Sequence, residues 1–132
     1  MNNINKSLLI IAHGSKKKVS NIEIHQLANN IFIKNKTFNF VQACFLEIAD
    51  PSISQGIKIC VDRNASSITI FPYFLAAGRH VIEDIPQIIN YEKLKYPKVS
   101  IKMLPYLGSS PVIIDIVRTL AENSINNDIL NK

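Results

Sequence analysis

Three stretches of this sequence hold the residue types from which a metal or acid–base site is built. His13-Gly14-Ser15 follows the apolar run 7–12, Leu46-Glu47 closes the run 38–45, and Leu75-Ala76-Ala77-Gly78-Arg79-His80 follows the run 67–74. A fourth stretch, Pro105-Tyr106-Leu107-Gly108-Ser109-Ser110, follows the run 99–103. A neutral imidazole is a ligand for divalent metals and a base near neutral pH. A carboxylate such as Glu47 can orient an imidazole or take a proton from a substrate. His13 and His80 are far apart in sequence, so no local metal motif joins them. The fold brings them together if the first and third runs are neighbouring strands. Two readings stay open for each: a ligand or base, or a loop residue whose ring caps a helix or bonds a carbonyl. Glu47 is likewise a functional carboxylate or a charge set near the positive end of the next helix. His25 lies inside a helical pattern among polar residues and reads as a solvated surface side chain.

The elements that must carry these residues alternate. The apolar runs 7–12, 38–45, 67–74 and 99–103 are short, β-branched and apolar, as strands are when helices cover both faces of a sheet. Between them lie helical patterns. Ile24, Leu27, Ala28 and Ile31 repeat at helical spacing, and Ser20 with Glu23 has capping-box spacing ahead of them. Asp50-Pro51 reads as N-cap and first turn of a second helix with Ile53, Ile57, Cys60 and Val61 on its apolar face. Cys60 is then a buried small hydrophobe, and Cys44 a core residue of its strand. Ile85, Ile88 and Ile89 mark a third helix. Ser110-Pro111 opens a fourth, expected to bury Ile113, Ile116, Val117 and Leu120. Residues 123–132 are polar and Asn-rich and read as a fraying tail.

Four βα units in a row predict an α/β, three-layer αβα domain with a four-stranded parallel sheet and right-handed crossovers. The order 2-1-3-4 sets the first and third strands side by side, as a paired role for His13 and His80 requires. Ligands of such sheets bind beyond the carboxyl ends of the strands, where two of the three histidines, Glu47 and Gly14, Gly78 and Gly108 converge. The reading is one domain over residues 1–132, its core at 7–122.

The chain has 132 residues, 47% hydrophobic and 19% charged, with a formal net charge of +5. That composition is globular and excludes collagen-like, low-complexity and disordered classes. No apolar run reaches the roughly 18 residues of a membrane span. The run before His13 is also too short for a signal peptide and leads into no cleavage site. Cys44 and Cys60 form no C-x-x-C pair, so a reducing compartment is expected, cytoplasmic or the equivalent organelle stroma. The basic residues are scattered apart from Lys16-Lys17-Lys18, with no aromatics between them, and no nucleic-acid or membrane partner is expected.

Taken together, these segments resemble the small, single-domain sirohydrochlorin chelatases of the CbiX/SirB group. The resemblance runs in one register over residues 7 to 120. It is carried by residues 8–15 (LLIIAHGS), 43–52 (ACFLEIADPS), 71–81 (FPYFLAAGRHV) running into Asp84-Ile85-Pro86, and Pro105-Tyr106-Leu107-Gly108. It implies half of a class II chelatase-like fold and insertion of a divalent ion, cobalt or iron, into a modified tetrapyrrole on the way to cobalamin or sirohaem. The metal is a co-substrate, and no permanently bound cofactor is expected. The resemblance makes His13 and His80 the metal ligands, His13 also the proton acceptor, and Glu47 a catalytic carboxylate. It sets Ser15, Glu47 and residues Phe74, Leu75, Ala76, Ala77, Gly78 and Arg79 against the macrocycle. Lys16 stands where relatives often carry Arg. The chain lacks the His-rich insert of some nickel-handling relatives and the Cys-rich tail of some plant forms. A shallow cleft on four strands, with the short-form resemblance, implies a homodimer. Two rival readings use the same edge. One is a non-catalytic metal or tetrapyrrole carrier. The other is a flavodoxin-like phosphate or nucleotide module around residues 14–18, although neither G-x-x-x-x-G-K-[ST] nor G-x-G-x-x-G occurs.

Overall fold

The computed structural model of the protein describes residues 4–130, with side chains through residue 127. Strands β1 (Lys6–Ala12), β2 (Phe40–Phe45), β3 (Ser67–Pro72) and β4 (Ser100–Met103) form one parallel sheet in the order β2-β1-β3-β4. Helices α1 (Lys18–Lys34), α2 (Ile53–Asp62), α3 (Ile85–Lys95) and α4 (Pro111–Leu130) follow the four strands in turn. The predicted strand order and parallel pairing therefore hold, and the first and third strands are neighbours.

The pleat divides the core into two clusters, because alternate residues of a strand face opposite ways. Leu9 and Ile11 of β1, Cys44 of β2 and Ile68 and Ile70 of β3 pack against α2 and α3 through Ile53, Ile57, Cys60, Ile85 and Ile89. Leu8, Ile10 and Ala12 of β1, with Ala43 and Phe45 of β2, pack against α1 through Ala28, Ile24, Leu27 and Ile31. Gly56 lets α2 sit close on the sheet: a Cβ there would lie 3.1 Å from the Cys44 Cβ. Both cysteines are free and fully buried. Burial pushes the Cys60 thiol up to about 11 and Cys44 higher still, where the neighbouring Cys60 adds to the effect. Neither is available as a nucleophile near neutral pH. On β2, an edge strand, the Gln42 side chain donates to the adjacent Ala43 carbonyl at 2.8 Å.

Four local expectations change. Ser20 and Glu23 do not cap α1. The helix already starts at Lys18, with Lys17 at the N-cap and no side-chain cap bond, and the Asn21 side chain in its first turn holds the preceding loop at Ser15. Asp50 does not cap α2 either. Ser52 is the N-cap, in a reciprocal capping box with Gln55, and the Asp50-Pro51 bond before it is cis. Of the polar tail expected over residues 123–132, residues 123–130 continue α4 to Leu130, and residues 131–132 lie outside the described residues. Finally, α4 does not bury its apolar face on this chain's own sheet: Ile116 is 45%, Val117 62% and Leu120 67% exposed. Helical spacing correctly marks which side chains share a stripe, but carries no information about what the stripe meets.

Candidate active site at the carboxyl edge of the sheet

Each strand delivers its loop to the same edge. The ladder between β1 and β2 continues past the strands: Leu46 N–H donates to Ala12 O at 2.9 Å and Glu47 N–H to His13 O at 3.1 Å. This locks His13 and Glu47 side by side. Gly14 then turns with φ +98°, and a Cβ there would lie 1.8 Å from the Glu47 carbonyl oxygen, so only glycine fits. Across from it Ile48 takes φ 72°, an unusual conformation for a β-branched residue. It lets Ala49 N–H bond back to Glu47 O at 2.8 Å, a tight turn that lifts the Glu47 side chain to the surface.

The third strand contributes through a longer path. Tyr73 N–H donates to Ile11 O, and residues 73–79 lead to a single π turn, His80–Asp84, that runs directly into α3. Val81 is buried beneath the turn and anchors it. His80 and His13 thereby meet edge-on, with ring centroids 5.1 Å apart and planes at 89°. Each ring is tied to one carboxylate. His13 Nε2 lies 2.7 Å from Glu47 Oε1, and His80 Nδ1 lies 2.6 Å from Asp84 Oδ2. The ring nitrogens that face no carboxylate are His13 Nδ1 and His80 Nε2. Both rings are about half exposed, at 45% and 48%.

The expected site residues thus divide. His13, Glu47 and His80 come together. Leu75, Ala76, Ala77 and Gly78 form an exposed loop beside them, and nothing lies within 4 Å of a Cβ built on Gly78. Phe74 turns inward against the cluster under α2 and α3. Arg79 is exposed and its Nε sits 3.8 Å from Glu83. Ser15 is half-buried; its Oγ accepts from Lys17 N–H, and its own N–H and C=O are both held by the Asn21 amide. That arrangement uses the backbone donors that a phosphate cradle would need free. His25 is exposed as expected, yet its ring also lies edge-on to the buried Phe45 at 5.3 Å.

Asp84 is the site residue that composition and spacing left unassigned. Its signal was present as an i, i+4 relation to His80, hidden because it precedes Pro86 and reads as a helix entry. Among the described residues no group of three or more His, Cys, Asp and Glu is arranged to hold a metal ion. In a two-imidazole site with a carboxylate behind each ring, the carboxylates fix the ring orientations and leave one nitrogen of each ring open. No helix of the described residues is long and apolar enough to cross a membrane.

The fold and site together define a parallel α/β protein with a carboxylate-braced histidine pair at the strand ends. The CbiX family profile matches residues 7–124, and the chain belongs to that family. It is 26% identical over 121 residues to the chloroplastic sirohydrochlorin ferrochelatase of Arabidopsis thaliana, covering 91% of this chain and 53% of that one. It is 32% identical over 119 residues to the sirohydrochlorin cobaltochelatase of Sulfolobus acidocaldarius, covering 90% of this chain and 92% of that one. Among solved structures it resembles the sirohydrochlorin chelatase SirB of Bacillus subtilis in complex with cobalt. The TM-score is 0.78 and the identity 25%, over 90% of this chain and 50% of that one. The chain therefore spans about half the length of some relatives and nearly the whole of others.

Proposed function

We propose that this protein is a sirohydrochlorin chelatase that inserts cobalt or iron into the macrocycle, working as a homodimer. The observation that carries the reading is the His13–His80 pair, with rings 5.1 Å apart and a carboxylate on one nitrogen of each. The relatives at 26% and 32% identity, a sirohydrochlorin ferrochelatase and a sirohydrochlorin cobaltochelatase, support the same chemistry. The metal and the tetrapyrrole are both substrates.

Insertion exchanges two pyrrole N–H protons for one divalent ion, so the site must release a metal and accept two protons. His13 Nδ1 and His80 Nε2 are the lone pairs that would hold the ion, and imidazole suits both cobalt and iron. An imidazole cannot hold metal and proton on one lone pair at once. The order that balances is handover first: as the ion passes to the ring nitrogens, each freed imidazole takes one proton. Glu47 and Asp84, on the opposite ring nitrogens, then face the imidazolium charge and stabilise it. The exposed loop 75–78, with small side chains at Ala76, Ala77 and Gly78, leaves room for a flat ring to approach. A +5 chain favours a polycarboxylate substrate at long range. Two free, buried cysteines fit a reducing compartment, cytoplasm or stroma.

The test is anaerobic: sirohydrochlorin absorbance is followed with cobalt, iron and nickel at catalytic protein concentration. Many turnovers with cobalt or iron support the proposal. Metal or tetrapyrrole binding that stops at one equivalent per chain would make the protein a carrier.

A further inference from the structure

The turn that follows β2 holds one residue in a conformation that its type resists. Among the described residues two non-glycine residues take a positive φ, Asn64 at 65° and Ile48 at 72°. Asparagine tolerates that region, whereas isoleucine, branched at Cβ, is a steric outlier there. Ala49 N–H donates to Glu47 O at 2.8 Å, across Ile48. A bond between residues two apart, closed around a φ of this sign and size, is a γ-turn of the rare, strained hand.

The loop has little freedom to relax. Phe45 N–H donates to Pro51 O at 2.8 Å and Phe45 bridges Ser52, so residues 46–51 leave and return at one point of the sheet. Glu47 N–H is held by His13 O at 3.1 Å, and the Glu47 carbonyl presses on Gly14 so closely that a Cβ there would lie 1.8 Å from its oxygen. The turn is pinned from both sides, with Ile48 at its tip. Backbone needs do not explain an isoleucine there, since glycine or asparagine would make the same Glu47–Ala49 bond with less strain. Packing does not explain it either, for Ile48 is 60% exposed. A single exposed apolar side chain is ordinary. One carried on a strained backbone beside a histidine pair is an outlier that points to use.

Its place says which use. In the order β2-β1-β3-β4 the His13 loop leaves from β1, with the Ile48 loop on one side and the loop 73–79 on the other. Leu75, in the latter, is 71% exposed. Two large apolar side chains therefore stand one strand to either side of His13. We propose that Ile48 is a substrate-binding residue, an apolar rest for the flat face of the tetrapyrrole, and that the strained turn serves to present it. The inference rests on the preceding reading and adds a residue to it. His13, His80 and Glu47 handle metal and protons; Ile48, across from Leu75, sets where the conjugated ring lies over them. The carboxylates at the edge of the ring stay in water, and only its apolar face covers the isoleucine.

A side chain kept at a cost to the backbone predicts an unusual pair of effects: removing it weakens substrate binding and leaves the fold no weaker. Ile48→Gly and Ile48→Asn suit the left-handed backbone and remove the apolar surface, whereas Ile48→Val keeps the strain and most of that surface. Metal-free sirohydrochlorin is titrated by absorbance, cobalt is titrated without tetrapyrrole, and urea midpoints are read. Glycine and asparagine should weaken sirohydrochlorin binding about tenfold and raise KM to match with kcat kept, as covering the exposed part of an isoleucine implies. Valine, one methylene smaller, should stay within about fourfold. Cobalt affinity should equal that of the natural chain, and the glycine and asparagine urea midpoints should equal or exceed it. Natural sirohydrochlorin affinity in both variants overturns the proposal. So does a lower midpoint or lost cobalt binding in both, which would make Ile48 a support for the Glu47 turn. A natural chain that binds no sirohydrochlorin overturns it together with the preceding reading, whereas one that inserts metal and tolerates both substitutions overturns this proposal alone.

Discussion

At the scale of single residues, the division of labour rests on which ring nitrogen is left free. His13 is braced through Nε2 and His80 through Nδ1. Replacing either by Ala should cut initial insertion rates by at least a hundredfold, with circular dichroism unchanged because both rings are half exposed; wild-type rates in both variants would remove the site. Asp84→Asn keeps the shape but replaces an acceptor-only carboxylate with an amide, whereas Asp84→Glu keeps the charge. The expected order is a roughly tenfold loss of metal affinity for the amide, in the range seen when partners behind ligating histidines are changed, with partial rescue by Glu. Direct cobalt titration of the protein alone, without tetrapyrrole, reads this. The two cysteines give a pH test of the core. For Cys60 the folded thiol titrates near 11 against an ordinary 9.0. Below pH 9 both folded and unfolded states keep the proton and pH has no effect through this group. Between pH 9 and 11 only the unfolded thiol ionises, so stability falls as pH rises, by about 2 kcal/mol across the window. Urea unfolding of the natural chain and Cys60→Ala should show a steeper decline in the former over that range. What the sequence made legible at this scale was the chemistry of His13, His80 and Glu47. Asp84 was not legible, because its role depends on one π turn that places residues 80 and 84 on the same side.

At the scale of elements, the sheet and its order were readable because strand runs, helical stripes and right-handed crossovers constrain one another. Caps were less so. Asp50-Pro51 has the composition of a helix start, but the Ser52–Gln55 capping box sets the start two residues on. Both Asp-Pro and Ser-x-x-Gln satisfy local rules, and only the chain direction arriving from the Glu47 turn selects between them. Ser52→Ala should cost about 1 kcal/mol of stability by loss of the bond to Gln55 N–H, whereas Asp50→Ala should be close to neutral; denaturant midpoints decide. The fourth helix is the larger miss. Its stripe predicted burial and was right about the pattern, yet no element among the described residues buries it.

At the scale of the molecule, assembly and stability become one quantity if the exposed stripe of α4 meets a second copy. A species that binds only in the folded state raises apparent stability with its concentration, and here that species is the chain itself. The melting temperature should therefore rise by a few degrees between one and one hundred micromolar for the natural chain and stay flat for Val117→Glu with Leu120→Glu. Calorimetry at the two concentrations checks it. Equal melting temperatures for the natural chain would separate folding from assembly.

The amide of Gln42 has a consequence for such an assembly. A parallel sheet ending in an open strand offers a template on which a foreign strand can grow, and chains that associate through such margins tend to continue into fibres. On β2 one main-chain acceptor is already taken by the neighbouring side chain. The outer margin of the sheet is thereby made a poorer template for a foreign strand.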